Sequence, residues 1–138
     1  MNWLIDKLMY GNNVPRVIDP KTHMAVDFLM TAAFFMIAGS FWGRHKRAAA
    51  TALINGGAIL AATMLTDYDG NGKRPISFPD HGKTDIAQAG MASGLPVLFG
   101  FASHPAAMIF ETQAMKEAFV ISATDWEATG RREEFRAA

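Results

Sequence analysis

The sequence predicts an all-α protein, a four-helix transmembrane bundle built from two tandem two-helix repeats and preceded by a short N-terminal interfacial helix. Three observations carry that prediction. Long uncharged runs recur at helical length, a polar pattern repeats at constant spacing, and the 138-residue chain is half hydrophobic and only 19% charged. This composition is too apolar and charge-poor for a disordered chain, and the length suits one domain.

The elements follow in order. Residues 1–11 (MNWLIDKLMYG) contain an apolar stretch broken by Asp6 and Lys7, which lacks the pattern of a signal peptide. They read as a helix lying in the membrane interface, with Trp3, Leu4, Leu8 and Tyr10 toward lipid. Phe28 to Gly43 and Ala48 to Thr66 carry no charged residue, and with the first run extended back through Met24 both reach the ~17–25 residues of a spanning helix. The uncharged run from Ile86 to Phe110 is long enough for a helix, a turn at Ser103-His104-Pro105 and the start of a fourth helix, about Ala106 to Thr124. Glu111, Lys116 and Glu117 interrupt that fourth helix and point in separate directions, so at least one needs a protein partner. Beyond Trp126 the charged tail, residues 127–138, reads as solvated.

Residues 23–68 align with 81–126 without gaps at an offset of 58. His23 meets His81, Asp27 meets Asp85, and Thr66-Asp67-Tyr68 meet Thr124-Asp125-Trp126. Each unit therefore begins one helix with His-x3-Asp and ends the next with Thr-Asp-aromatic. Hairpin closure brings both patterns to one end of the bundle, where they form a polar cap with pseudo-twofold symmetry.

The stretch Gly94 to Ala107, GLPVLFGFASHPAA, follows an apolar helix, opens another and resembles the SPW-repeat membrane proteins. Their two-helix repeat carries Ser-Pro-Trp, a Leu-Gly-Phe-like stretch and a Pro-Ala-Ala-like helix start. Here the tripeptide is Leu95-Pro96-Val97, and Ala38 stands at the equivalent of Pro96 in the first unit. The resemblance implies a small polytopic membrane protein and carries over no activity.

Balanced charge, with 13 basic and 13 acidic residues, argues against a nucleic-acid partner. With no Cys, the strong metal ligands available are His, Asp and Glu. No nucleophile-elbow, phosphate-loop, dinucleotide or His-Glu-x-x-His pattern occurs, so no catalytic activity is indicated and no cofactor is predicted. His23, Asp27, Asp67, His81, Asp85 and Asp125 converge at the capped end as candidate ligands of a divalent metal, beside the alternative that they only lock the helix ends. Asp67 to Gly72 fits the opening of a calcium loop, but Phe78 stands where the bidentate Glu belongs. Asn55, Gln88, Gln113 and Glu117, with Thr66 and Thr124, form the expected structural polar core.

These readings predict a structural or accessory subunit of a larger membrane complex, or a homo-oligomer, in contact with the lipid bilayer. The alternative is a membrane redox or ion-handling protein using the His/Asp cluster. The protein is expected in the inner membrane of a prokaryote, and the basic residues flanking the helices favour cytoplasmic termini.

Overall fold

The computed structural model describes residues 2–138. The described chain forms six helices, α1 (Asn2–Met9), α2 (Pro20–Phe41), α3 (Lys46–Leu65), α4 (Phe78–Leu98), α5 (Ala107–Ala123) and α6 (Ala128–Ala137), with two short strands, β1 (Thr66–Asp67) and β2 (Ile76–Ser77), between α3 and α4. α2 pairs with α3 and α4 with α5 as hairpins, and α3 packs on α4 to join them.

The starts of the two hairpins are built alike. Asp19 accepts a hydrogen bond from the Thr22 amide ahead of Pro20, and Ser77 accepts one from the Asp80 amide ahead of Pro79, which satisfies first-turn donors that have no partner within a helix. Thr66 pairs with Ile76 in parallel, and Thr124 bridges in parallel to Ile18. The offset of 58 therefore relates Ile18 to Ile76 and Asp19 to Ser77 as well, so the likeness begins earlier than residue 23. The end of each hairpin is stitched to the segment that leads into the other.

Expectation and structure part over the membrane. Among the described residues, only α2 and α3 are long and apolar enough to cross one, by length and composition. The four-helix transmembrane bundle is thus corrected to two candidate spans. The reason lies in the other two helices: the first half of α4 carries Asp80, His81, Lys83, Asp85 and Gln88, and α5 has 17 residues with Glu111, Lys116 and Glu117 among them. The interfacial role expected of α1 also changes. Met9 is fully buried and Ile5 and Leu8 pack against the Tyr68, Phe78, Ile121 and Trp126 cluster, while Trp3 and Leu4 stay exposed. Its inner face belongs to the protein core. The charged tail folds as α6.

Two interior clusters fill the hairpins. Phe34, Ile59, Phe101 and Phe110 hold the middle and far end, with Phe34 and Phe110 stacked. The second cluster, around Trp126, roofs the capped end. The outer faces of α2 and α3 leave Leu29, Met36, Ile54 and Met64 exposed.

Close approach of α2 and α3 depends on Gly56, where an added Cβ would sit 2.9 Å from the Phe35 ring and 3.1 Å from Phe34 Cβ. At neighbouring Gly57 nothing lies within 4 Å. Gly56→Ala should therefore destabilise by about 1–3 kcal/mol through overpacking. Gly57→Ala should be neutral or stabilise by up to about 1 kcal/mol through helix propensity. Thermal unfolding of the two variants in one detergent checks the contrast.

Candidate functional site

α2 and α4 each place a His and an Asp four residues apart, on one helix face and within two turns of the N-terminus. Because the two hairpins start at the same end, these four side chains meet. All four residues are buried: His23 is 0%, Asp27 4%, His81 1% and Asp85 8% exposed.

Each imidazole reaches both carboxylates. His23 Nε2 lies 3.0 Å from Asp85 Oδ2 and 3.5 Å from Asp27 Oδ1; His81 Nε2 lies 3.0 Å from Asp27 Oδ2 and 3.2 Å from Asp85 Oδ1. On the far side of each ring stands a threonine from the other repeat unit, Thr124 Oγ1 at 3.0 Å from His23 Nδ1 and Thr66 Oγ1 at 2.7 Å from His81 Nδ1.

These threonines decide the tautomers. Thr66 donates its hydroxyl proton to Ala62 O at 2.6 Å, and Thr124 donates its own to Val120 O at 2.6 Å. A hydroxyl has one proton, so each oxygen can only accept from the ring beside it. Both Nδ1 atoms therefore carry hydrogen, and both Nε2 atoms are left facing carboxylates. A neutral ring so held has only a lone pair to offer there. His81 Nε2 has no aligned hydrogen-bond partner despite its short contacts, whereas His23 Nε2 is aligned on Asp85 Oδ2, to which it donates when the ring is protonated.

The electrostatics are equally one-sided. Among the described residues, no Lys or Arg ion-pairs with Asp27 or Asp85, and their only ion-pair contacts are the two imidazoles. Burial opposes charge on His81, but the close contact with Asp27 and the charges of Asp85 and Asp27 outweigh it and raise its pKa, so that in the absence of another cation the ring favours its protonated form. The quartet draws in positive charge.

The two carboxylates are not equally satisfied. Asp27 Oδ2 accepts from the Tyr68 hydroxyl at 2.9 Å, and Thr63 Oγ1, which donates to Ile59 O, lies 3.4 Å away. Burial, together with the charge of Asp27, pushes the Tyr68 phenol up, which keeps it a donor. The residues 58 positions on from Thr63 and Tyr68 are Ile121 and Trp126, and the Trp126 indole donates to Ile121 O instead. Among the described residues Asp85 thus has imidazole contacts alone, and it also lines a crevice of about 220 Å³ between α3 and α4.

Two of the six candidate ligands stand apart. Asp67 accepts from the Asn71 and Gly72 amides, at 3.2 and 2.6 Å, and so closes its own loop. Asp125 pairs with Arg131. Both follow the threonine that does reach the site, and adjacent residues cannot share its direction. Of the polar core, Gln88 donates to Asn55 Oδ1 at 2.6 Å across α3 and α4, Thr66 and Thr124 hold the imidazoles, and Gln113 lines a groove between α2 and α5. Tyr68 and Thr63 were not anticipated as carboxylate partners. The readable signal was Thr63-x-x-Thr66-x-Tyr68 at the end of α3, which sets three hydroxyls near one helix terminus.

Glu117 is 4% exposed, and its Oε2 has no hydrogen-bond partner among the described residues. Ile59 occupies the equivalent place in the first unit. Burial, then the charges of Asp85 and Asp27, push its carboxyl up to about 9.

Comparison with protein-family models, curated proteins and solved structures finds no match to this chain.

The raised Glu117 value sets a pH dependence. In the unfolded chain the group ionises near 4.5, in the fold near 9, so between these values the folded state holds a proton that the unfolded state has lost. Its contribution is fully present below pH 4.5 and lost as pH rises through about 9. Glu117→Gln, neutral at every pH, should raise the melting temperature at pH 8 and flatten its decline from pH 6 to 9. An unchanged pH profile would show that Glu117 is ionised in the fold.

Proposed function

We propose that the protein is a membrane-associated, ion-handling helical protein whose His23, Asp27, His81 and Asp85 hold one divalent transition-metal ion. The observation that carries this reading is the threonine-fixed pair of Nδ1–H tautomers. With both rings neutral it leaves two imidazole lone pairs and two carboxylates directed at one another in a buried space, with no Lys or Arg ion-paired to them among the described residues. A dication supplies the missing charge and takes the lone pairs at once.

Distances support the reading. Metal–ligand bonds of about 2.0–2.2 Å put tetrahedral ligand atoms about 3.3–3.6 Å apart, a little wider than the four His–Asp separations of 3.0 to 3.5 Å, in which each carboxylate turns one oxygen to each imidazole. One ligand atom each from His23, Asp27 and His81 lies within 4.8 Å of the others. Two imidazoles with carboxylate suit zinc, iron(II) or manganese rather than calcium or magnesium, which prefer oxygen alone. The Nδ1–H to threonine contact is the outer hydrogen bond that orients a ligating His. The crevice at Asp85 gives an ion a way in.

The α2–α3 hairpin supplies the membrane part of the proposal. Its exposed Leu29, Met36, Ile54 and Met64 form the surface that lipid would cover, in the inner membrane of a prokaryote. A second reading, a structural accessory subunit, is favoured by the crossed His–Thr contacts, which tie one hairpin to the other whether or not an ion is present.

Elemental analysis of the detergent-purified protein should find about one equivalent of zinc, iron or manganese per chain, removable by chelator with a fall in melting temperature. His81→Ala and Asp85→Ala should abolish it. Retention of a folded protein that binds none of the three ions when they are added back would leave the structural reading standing alone. Thr66→Val and Thr124→Val should each weaken metal affinity by about 10–100-fold while keeping all four ligands, measured by competition with a chelating dye.

A further inference from the structure

The end of the molecule away from the quartet carries a second histidine pair with the opposite hydrogen-bond polarity. His45, in the turn between α2 and α3, and His104, in the turn between α4 and α5, face each other with ring centroids 4.5 Å apart. His45 Nδ1 accepts from the Ala48 amide at 3.1 Å, and His104 Nδ1 accepts from the Ala106 amide at 3.1 Å. An amide can only donate, so both Nδ1 atoms are bare and both Nε2 atoms carry hydrogen. At the quartet the threonines impose the reverse.

Around these two N–H groups the chain collects more donors. A cleft of about 580 Å³ is lined by His45, Lys46, Arg47, Ser103 and His104 over the buried ring of Phe101. None of its lining residues is acidic. The Arg47 guanidinium reaches over the cleft toward Gly100 O, 3.4 Å away, a contact too long to consume its hydrogen-bonding capacity. Arg44, by contrast, turns its guanidinium back to Ser40 O and is spent there.

We infer that this cleft binds a phosphate-type oxyanion, with Arg47 as the charged fork, Lys46 as a second cation, and the Nε2–H groups of His45 and His104 and the Ser103 hydroxyl as neutral donors. An oxyanion fits because it is all acceptor and the cleft side chains are almost all donor. The planar guanidinium matches two phosphate oxygens at once. The cleft adjoins the turn joining the two candidate membrane spans, beside Trp42, which is 60% exposed. The phosphate therefore has two sources, an anionic lipid headgroup at the membrane surface or a phosphate in solution. The inference is independent of the metal reading, since no residue is shared with the quartet.

Calorimetric titration of the full chain in a neutral detergent tests it in two arms, sodium phosphate against sodium chloride at equal ionic strength, and mixed micelles containing phosphatidic acid against phosphatidylcholine. Saturable binding of inorganic phosphate assigns a soluble ligand. Saturation by phosphatidic acid micelles without response to free phosphate assigns the lipid headgroup. In whichever arm responds, Arg47→Gln and His104→Phe should each weaken binding at least tenfold. Lys73→Gln, a basic residue outside the cleft, should change it less than twofold. Arg47 is exposed, so Arg47→Gln should keep the wild-type melting temperature, while His104→Phe, which also removes the acceptor of the Ala106 amide, should lower it modestly without unfolding the protein. Absence of saturable binding in both arms overturns the inference, as does binding that Arg47→Gln and His104→Phe leave intact. Phosphate bound at a metal in the quartet would produce the latter result.

Discussion

Two buried carboxylates with no Lys or Arg beside them set the terms for the whole molecule. Burial of even one ionised carboxylate is costly unless charge and hydrogen bonds answer it, and here Asp27 and Asp85 lie within reach of the same two imidazoles. The answer must come from a proton or an ion at His23 and His81. For either to work, the rings must be held with their Nε2 atoms inward, and that is the task of Thr66 and Thr124. Those threonines are in turn placed by strand pairing: Thr66 on Ile76 and Thr124 on Ile18. A chain of constraints thus runs from backbone hydrogen bonds through hydroxyl and imidazole to carboxylate, and it crosses between the hairpins at the strand pairing, at both threonine–imidazole contacts and at two of the four imidazole–carboxylate contacts. Neither hairpin completes the site by itself.

Much of this was legible in the sequence because it was written as a spacing. His-x3-Asp fixes two side chains on one helix face, and its recurrence 58 residues later, each time followed by Thr-Asp-aromatic at the same distance, requires only hairpin closure to bring the parts together. The helices over Phe28–Gly43, Ala48–Thr66 and 106–124 were legible for the same reason, since length and lack of charge are one-dimensional properties. What composition could not separate is apolar surface meant for lipid from apolar surface meant for other helices. α4 shows the difference. Its second half is as apolar as a span, but its first half is polar because it builds the site, so the helix as a whole is not one. The inward turn of α1 was hidden too, because Met9 fits beneath Gly82, where a Cβ would lie 2.6 Å from the methionine methyl. That pairing joins residues far apart in the chain.

The directions of Asp67 and Asp125 were beyond a reading by spacing. Each stands next to a threonine that enters the site, and a strand-like backbone sends neighbours to opposite sides. Asp67 serves the Asn71–Gly72 turn and Asp125 serves Arg131. Gly70 and Gly72 adopt positive φ in that turn, a conformation that glycine takes at little cost, which explains the composition of Asp-Gly-Asn-Gly without an ion.

Where the halves differ, the differences fall around the site. Across the offset of 58, Thr63 becomes Ile121, Tyr68 becomes Trp126, and Ile59 becomes Glu117. The first two changes remove hydroxyls near Asp85 that have counterparts near Asp27, and the third adds a buried acid. Simple mutual locking of two hairpins would be served by equal partners on both sides, because each carboxylate faces the same desolvation. Instead Asp27 is tied to Tyr68, while Asp85 is left with imidazole contacts and opens on the α3–α4 crevice. A hydrogen bond from Tyr68 fixes a carboxylate and reduces its appetite for a further cation; the lack of one at Asp85 preserves both. The asymmetry therefore gives the quartet one side closed by Tyr68 and one side that opens on the crevice between α3 and α4.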